Sequence, residues 1–368
     1  MPLSPRAIER IVLDLLADEL SRSRGRSVAA LGRNGWGAAT RVDGEGLDLD
    51  SLERMDAASA LNEFFHLHDY GAEDYLLALP SIGEWCELVA QSLAAGSGRL
   101  TFRTGGSTGE PKRCTHLIAD LEAEAAGWAA SFAGAPAVVA LVPAHHIYGT
   151  MFTALLPDAL GCPVVDTVGA ARPGTVVAGT PTHWQYLARS LLAFPDGLVG
   201  VTSTAPMPSQ LAHRLRGQRL ARLVEVYGSS ETGGIGWREH EGAAYRLLPR
   251  WADADTVASP DHLRWLDPRH FVVEGRRDGA VQVGGTNVFP ARVREALLGH
   301  AGVAEAAVRL DGARLKAFVV PAAGADAEAL TQALDRWCGE TLSAAERPRR
   351  FATGAALPRN AMGKLADW

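Results

Sequence analysis

The feature that most constrains this chain is an alternation that begins near residue 97. Short β-rich runs at 137–142, 198–202 and 223–226 are interleaved with stretches of helical periodicity at 117–132, 182–193 and 208–216. Strands alternating with helices indicate an α/β architecture. After Gly275 the pattern changes: residues 278–368 carry two apolar strands (303–308 and 315–320) and a helix near 327–342, which suits a small α+β domain. Before residue 97 the periodicity is helical. Residues 4–21 place Ile8, Ile11, Val12, Leu15 and Leu16 on one face, with Ser4 as cap and Pro5 in the first turn. A polar, glycine-bearing loop follows at about 22–47. Asp50 with Glu53 then forms a capping-box pattern ahead of an apolar face of Leu52, Met55, Ala57, Leu61 and Phe65. The expected division is a helical lobe at 1–96, a large α/β domain at 97–277 and a small C-terminal domain at 278–368. A chain of 368 residues has room for two or three domains.

The hydrophobic fraction of 47 % and charged fraction of 21 % are those of an ordinary globular protein. A net charge of −6 and a pI near 6.0 give no footprint for nucleic acid or a membrane surface. Cys86, Cys114, Cys162 and Cys338 form no C-x-x-C pair, which favours a reducing compartment over a disulfide framework. With no basic-then-apolar leader and no run of ~18 apolar residues, a cytoplasmic protein is expected.

The densest chemistry lies in Thr101–Arg113, where an apolar lead-in runs into glycines, hydroxyls and a lysine. Gly105, Gly106 and Gly109 let a backbone turn tightly and bring its N–H groups close to an anion. Thr104, Ser107 and Thr108 add donors, and Lys112 adds a point charge suited to phosphate. The P-loop pattern is not met: Pro111 intervenes before the lysine, and Arg113 stands where Ser or Thr should follow. Alone, the stretch also reads as a flexible surface loop.

The spacing Thr104-x-Gly-Ser-Thr-Gly-x-Pro-Lys112 resembles the phosphate loop of the adenylate-forming superfamily, which comprises acyl- and aryl-CoA ligases, peptide-synthetase adenylation domains and luciferases. Gly105 replaces the usual Ser and Arg113 the usual Gly. Further segments match in order. Ser203-Thr204-Ala205-Pro206 resembles the stretch that lies along the adenine. Val226-Tyr227-Gly228-Ser229-Ser230-Glu231 resembles the aromatic-Gly-x-Thr-Glu motif. There the tyrosine stacks on adenine, the hydroxyl in the position of Ser230 binds phosphate, and the glutamate coordinates Mg²⁺. On its own, Glu231 would read as a helix-start residue. Asp261 stands where the family carries the carboxylate that accepts from both ribose hydroxyls. In Gly275-Arg-Arg-Asp278, the resemblance gives Arg276 a ribose–phosphate contact and makes Asp278 the hinge about which the small domain rotates. Pro358-Arg-Asn-x-x-Gly-Lys364 supplies the lysine that inserts for adenylation; otherwise it is a solvated tail.

The resemblance assigns the acid pocket to residues 143–150, with His146, Tyr148 and Gly149 beside Ser203 and Gly228. His146-x-Tyr148 resembles a pair that flanks a flat ring in hydroxycinnamate ligases; a packed core pair is the plain alternative. The implied activity is ATP- and Mg²⁺-dependent conversion of an aryl acid, 4- or 3-hydroxybenzoate, into an acyl-adenylate. The acyl group then passes to a phosphopantetheine thiol of an acyl carrier protein or of CoA. Compact ligases of aryl-polyene and xanthomonadin-type pigment clusters are the nearest resemblance. Residues 4–95 also resemble an acyl carrier protein, with Ser51 in the position that bears phosphopantetheine, or simply at the start of a helix. Two rivals remain: a carrier-fused scaffold with weak catalysis, and an adenylyltransferase that stops at the adenylate.

Overall fold

A computed structural model describes residues 3–96, 98–104, 112–240, 242–277, 279–359 and 365–368. They divide into two compact units, one built from 3–104, 112–259 and 265–272, the other from 260–264 and 273–368.

The first unit opens with helices α1 (Pro5–Arg24), α2 (Ser51–Phe65) and α3 (Ile82–Ala95). Their starts follow the sequence signals. Ser4 accepts the Ala7 N–H ahead of α1. Asp50 and Glu53 form a reciprocal capping box on α2, so Ser51 is its first, exposed residue. The buried face of α2 corrects the expectation. Leu52 and Met55 are exposed (71 % and 57 %), while Ala57, Leu61 and Phe65 are buried together with Phe64. The reason is that the C-terminal half of α2 makes the docking contact, through the edge of Phe64 on Phe102 at 5.2 Å.

Phe102 lies on β1 (Arg99–Thr104), which pairs antiparallel with β2 (Lys112–Leu117), Thr104 opposite Lys112. The hairpin is fastened to α2 twice. Buried Phe64, Phe65 and Phe102 each contribute about 1.5–3 kcal/mol. Glu63 accepts from Arg103 of β1 (2.7 and 2.9 Å) and from Arg113 of β2 (2.9 Å). The Arg103 hydrogen bonds, reinforced by Arg113 against the opposing effect of burial, hold the Glu63 carboxyl down at about 2.

After α4 (Ile118–Ser131) come β3 (Val138–Ala140), α5 (Ile147–Gly149), a π-helical turn (Thr150–Leu155) and α6 (Leu156–Leu160). The chain continues through β4 (Val164–Val165), β5 (Val176–Gly179), α7 (Pro181–Ser190), β6 (Val199–Thr202), α8 (Ser209–Gly217) and β7 (Arg222–Ser229). It then folds back through β8 (Gly233–Arg238), β9 (Tyr245–Leu247), β10 (Asp261–Asp267) and β11 (His270–Arg276). Among the described residues these strands make one nine-stranded sheet, order β10-β11-β9-β8-β7-β6-β5-β3-β4. It is parallel from β4 to β7 and antiparallel from β7 through β8 to β9.

Successive strand residues point to opposite faces, and both faces are covered. Val138, Val176 and Ala178 join a core with α1 to α4 and the 147–160 helical segment; Val139 and Val177 join another with Trp184 of α7 and Leu215 of α8. The α/β expectation is thus met. Because α1, α2 and α3 share the first of these cores, the division expected at 96/97 corresponds to no break in packing.

The second unit holds the hairpin β12 (Val281–Val283) and β13 (Thr286–Val288), then α9 (Pro290–Leu298), β14 (Val303–Asp311), β15 (Arg314–Pro321), α10 (Ala327–Thr341) and β16 (Arg350–Thr353). β14 and β15 pair antiparallel, and β16 joins β15 in parallel. Val283, Val293, Leu297, Val319 and Leu334 form its core, the small α+β unit expected. Its last residues are pinned. Arg309 donates to the carbonyls of Leu365 (2.8 Å) and Ala366 (3.0 Å), Lys316 meets Asp367 at 2.6 Å, and Arg359 pairs with Leu365. No helix among the described residues is long and apolar enough to cross a membrane, and all four cysteines are free thiols.

Candidate active site

Parallel strands β5, β6 and β7 end at one edge of the sheet, and β8 reverses direction beside them. Crevices outside the carboxyl ends of such strands, at a switch in strand order, are where open α/β sheets bind ligands. The sequence motifs of the first unit fall there. Tyr227 lies near the end of β7, with Tyr245 and Phe271 at ring distances of 5.4 and 5.6 Å and its hydroxyl 3.0 Å from Ser259 Oγ. The register between β7 and β8 shifts at Tyr227/Gly228, an irregularity that re-aims the strand end. Only glycine fits at 228, since a Cβ there would stand 2.2 Å from the Gly233 carbonyl oxygen.

Glu231 follows in the turn between β7 and β8, not at a helix start. Its Oε1 accepts from Lys112 Nζ at 2.8 Å, so the phosphate-loop lysine and the candidate metal ligand meet across 119 positions of chain. Burial pushes the Glu231 carboxyl up, but the hydrogen bond from Lys112, with backbone and Ser229 donors, outweighs it and leaves the group below its usual value. The turn is braced by residues that the motifs do not name. His116 of β2, buried at 8 % exposure, donates through Nε2 to the Ser230 carbonyl at 2.7 Å. Buried Glu124 of α4 accepts from the Gly234 N–H (3.1 Å) and from Arg250 (2.7 Å). Breaking such a buried pair from one side costs about 3–5 kcal/mol.

At the end of β6, Ser203 donates to the Val226 carbonyl at 2.9 Å and so clips β6 to β7. Thr204 is exposed and sits at φ 75, in the left-handed region that a β-branched residue rarely adopts. Such an outlier costs of order 1–3 kcal/mol and marks functional turns. Ala205 and Pro206 continue this turn, half-buried and exposed respectively.

The 143–150 segment turns into α5. Gly149 is required by close approach, since a Cβ would lie 1.8 Å from the Pro143 carbonyl oxygen. His146 is exposed at its surface, and the protein packed around it pulls its pKa down to about 4 through loss of water, helped by His145 at 4.2 Å. The imidazole is therefore neutral near pH 7. Tyr148 differs from His146 in exposure. It is buried, and its hydroxyl donates to the carbonyls of Gly179 (3.0 Å) and Val201 (2.9 Å). The proton that would recognise a ring substituent instead ties the ends of β5 and β6 together.

Asp261 opens β10 within the second unit, where its carbonyl accepts from Arg277 at 3.3 Å. Gly105, Gly106, Ser107, Thr108, Gly109, Asp278 and Lys364 lie outside the described residues, as do the side chains of Thr104 and Arg276. Glu63, His116 and Glu124 escaped the sequence reading because lone polar residues carry no motif. His116 did leave one signal: it shares the inward face of β2 with Cys114, two positions away.

A hairpin strand that carries Lys112, an aromatic strand end at Tyr227 and the Glu231 carboxylate beside that lysine form a surface chemically suited to a nucleoside triphosphate. The AMP-binding enzyme model matches residues 101–291 and its C-terminal domain model matches 293–364; the chain belongs to this family of adenylate-forming enzymes. It is 41 % identical over 389 aligned residues to a 4-coumarate–CoA ligase of Halorhodospira halophila, covering 99 % of both chains. It is 42 % identical to a 4-coumarate–CoA ligase of Rhodobacter capsulatus, over 98 % of this chain and 100 % of that one. An o-succinylbenzoate CoA synthetase of Bacillus subtilis shares the fold, at a TM-score of 0.53 and 21 % identity over 72 % of this chain and 67 % of that one. The protein is an AMP-forming acid–thiol ligase that works with ATP and Mg²⁺. Its N-terminal helices fall within the aligned length of both ligase relatives and so are part of the ligase chain.

Proposed function

We propose that the acid is a flat, hydroxylated aryl carboxylate of the 4-coumarate kind and that CoA is the acceptor. The observation that carries this reading is the near-complete alignment with two 4-coumarate–CoA ligases, joined to a neutral His146 in the 143–150 segment. A neutral imidazole stacks on an arene and exchanges hydrogen bonds with a phenol without demanding a charged partner. Hydroxybenzoates, with a shorter acid arm, are the competing substrates, and an acyl carrier protein is the competing acceptor.

In this reading Lys112 binds the triphosphate, Tyr227 offers a ring face to adenine, and Gly228 admits the acid close to the β7 backbone. Glu231 fits a Mg²⁺ ligand: its carboxylate is ionised, supplies hard oxygen and sits beside the phosphate-loop lysine. When bound, Mg²⁺ supplies charge neutralisation on the triphosphate. Lys364 would stabilise charge as the carboxylate attacks the α-phosphate, and Asp261 would accept from the ribose hydroxyls. Rotation of the 278–368 domain about Asp278 would separate the two half-reactions.

The test is ATP–pyrophosphate exchange with 4-coumarate, 4-hydroxybenzoate, 3-hydroxybenzoate, benzoate and a long-chain fatty acid. Mass analysis of product with CoA and with a holo acyl carrier protein completes it. Highest kcat/KM for 4-coumarate and a coumaroyl-CoA product are expected. Preference for a hydroxybenzoate shortens the pocket, and preference for the fatty acid or for the carrier alone overturns the reading.

A further inference from the structure

A second cluster of ligand-type side chains lies away from these motifs, where α2 ends. His66 leaves the helix at φ 56, and the turn that follows brings His66, His68 and Asp69 together with their ligand atoms all within 4.8 Å. His68 Nε2 is 3.4 Å from Asp69 Oδ1, and His66 Nδ1 is 4.0 Å from Asp69 Oδ2. In a tetrahedral zinc site, metal–nitrogen bonds of 2.0–2.1 Å put ligand atoms roughly 3.4 Å apart. The His68–Asp69 pair already stands at that spacing, and His66 must approach through side-chain rotation to close the set around an ion.

The hydrogen bonds around the cluster orient it. Asn62 Oδ1 accepts from the His68 backbone N–H (2.9 Å) and from the His68 ring at Nδ1 (3.0 Å). An amide oxygen only accepts, so Nδ1 carries a proton, and Nε2 is the ring atom that faces Asp69 Oδ1. His66 is held through its other nitrogen, Nε2, by Thr101 Oγ1 at 2.8 Å, and Thr101 is in turn linked to Thr115 at 2.6 Å. Asp69 Oδ2 takes Arg99 at 2.5 Å and leaves Oδ1 toward His68. Outer partners hold His66 Nε2, His68 Nδ1 and Asp69 Oδ2, which leaves His66 Nδ1, His68 Nε2 and Asp69 Oδ1 as the candidate ligand atoms. A cavity of about 330 Å³, lined in part by His66, His68, Thr101 and Arg113, gives an ion access.

We infer that His66, His68 and Asp69 form a site for a divalent transition-metal cation of the zinc type, completed by water. Two imidazoles and one carboxylate suit that class better than Mg²⁺, which prefers an all-oxygen shell. Through His66 and Thr101 the ion would couple the end of α2 to β1, the strand that leads into the phosphate loop.

The probe is Co²⁺, added without ATP to the full chain in the Glu231→Ala background, so that the candidate Mg²⁺ ligand contributes nothing. One Co²⁺ per chain with the intense visible bands of tetrahedral coordination is expected, with competition by Zn²⁺ and an upward shift in melting temperature. His68→Gln, at a half-exposed position that leaves the core intact, should weaken binding at least tenfold, as should Asp69→Asn. If the Glu231→Ala chain binds no Co²⁺ at 100-fold excess, or adding His68→Gln leaves binding unchanged, the site is refuted.

Discussion

Lys112 and Glu231 neutralise one another at 2.8 Å, although the motifs that supply them are 119 residues apart. The same two groups are the candidate partners of phosphate and of Mg²⁺, so the ion pair holds the site in register before either arrives. ATP with its metal replaces one favourable contact by two. Lys112→Ala and Glu231→Gln should each lower ATP–pyrophosphate exchange by about 10²-fold, the scale for losing a preorganised charged group. Glu231→Gln should in addition need higher Mg²⁺ for half-maximal rate, while Lys112→Ala should not. Identical Mg²⁺ dependence in the two variants would remove Glu231 from the metal.

His116 should behave as a positioning residue. It touches the Ser230 carbonyl, not any reacting group, and its loss strands a carbonyl at a cost of about 1–3 kcal/mol. His116→Ala should raise KM for ATP more than it lowers kcat, and His116→Asn, which retains an N–H donor, should recover part of the loss. A fall in melting temperature with unchanged KM would make His116 purely structural.

How much of this was legible in the sequence depends on distance along the chain. Caps and local periodicity placed α1, α2 and the α/β alternation, because Ser4, Asp50 and Glu53 act within one turn. The ordered motifs located Tyr227, Gly228 and Glu231 by resemblance. What the sequence concealed is pairing between distant segments: Glu63 with both strands of the β1–β2 hairpin, and Tyr148 with two strand ends. Neither follows from residue type, since an exposed helix glutamate and an aryl-pocket tyrosine are equally good local readings. Leu52 and Met55 failed for the same reason, as periodicity gives a face but not the half of the helix that docks.

Glu63 gives the pH dependence. Its folded pKa of about 2 lies below the ordinary value of 4.5, so the unfolded chain binds more protons between those limits. The stability it adds is present above pH 4.5 and is lost as pH falls toward 2. Denaturant melts at pH 7 and pH 3.5 should show Glu63→Gln less stable at the higher pH, with the gap to wild type narrowing at the lower. A constant gap would mean that Arg103 and Arg113 do not depress the Glu63 pKa.

Tyr148 and His146 should separate two roles that the sequence assigned jointly. Tyr148→Phe removes a hydroxyl shared between two buried carbonyls and should cost about 1–3 kcal/mol of stability. Its ratio of kcat/KM for 4-coumarate over cinnamate should stay near wild type. His146→Ala should reduce that ratio at modest cost to stability. The reverse pattern would return the phenol contact to Tyr148.

Lys364 offers the sharpest test, because the proposed role belongs to one half-reaction. On either side of 360–364, Arg359 pairs with Leu365, and Arg309 and Lys316 secure Leu365, Ala366 and Asp367 to β14 and β15. The described residues that flank Lys364 in sequence, Arg359 and Leu365, belong to the second unit. If that unit rotates between steps, Lys364 serves adenylation and is carried away before the thiol attacks. Lys364→Ala should then slow adenylate formation by at least ~10²-fold and leave transfer from a supplied acyl-adenylate to CoA nearly unchanged. Asp278→Pro, fixing φ at the proposed pivot, should do the converse: adenylate forms and transfer fails. Arg309→Ala, which loosens the tether without touching substrate, should lower only the adenylation rate, and by less than Lys364→Ala. Single-turnover kinetics of both steps decides the matter. Equal loss of both steps in Lys364→Ala would leave the ligase assignment standing but exclude a lysine that works in one pose alone.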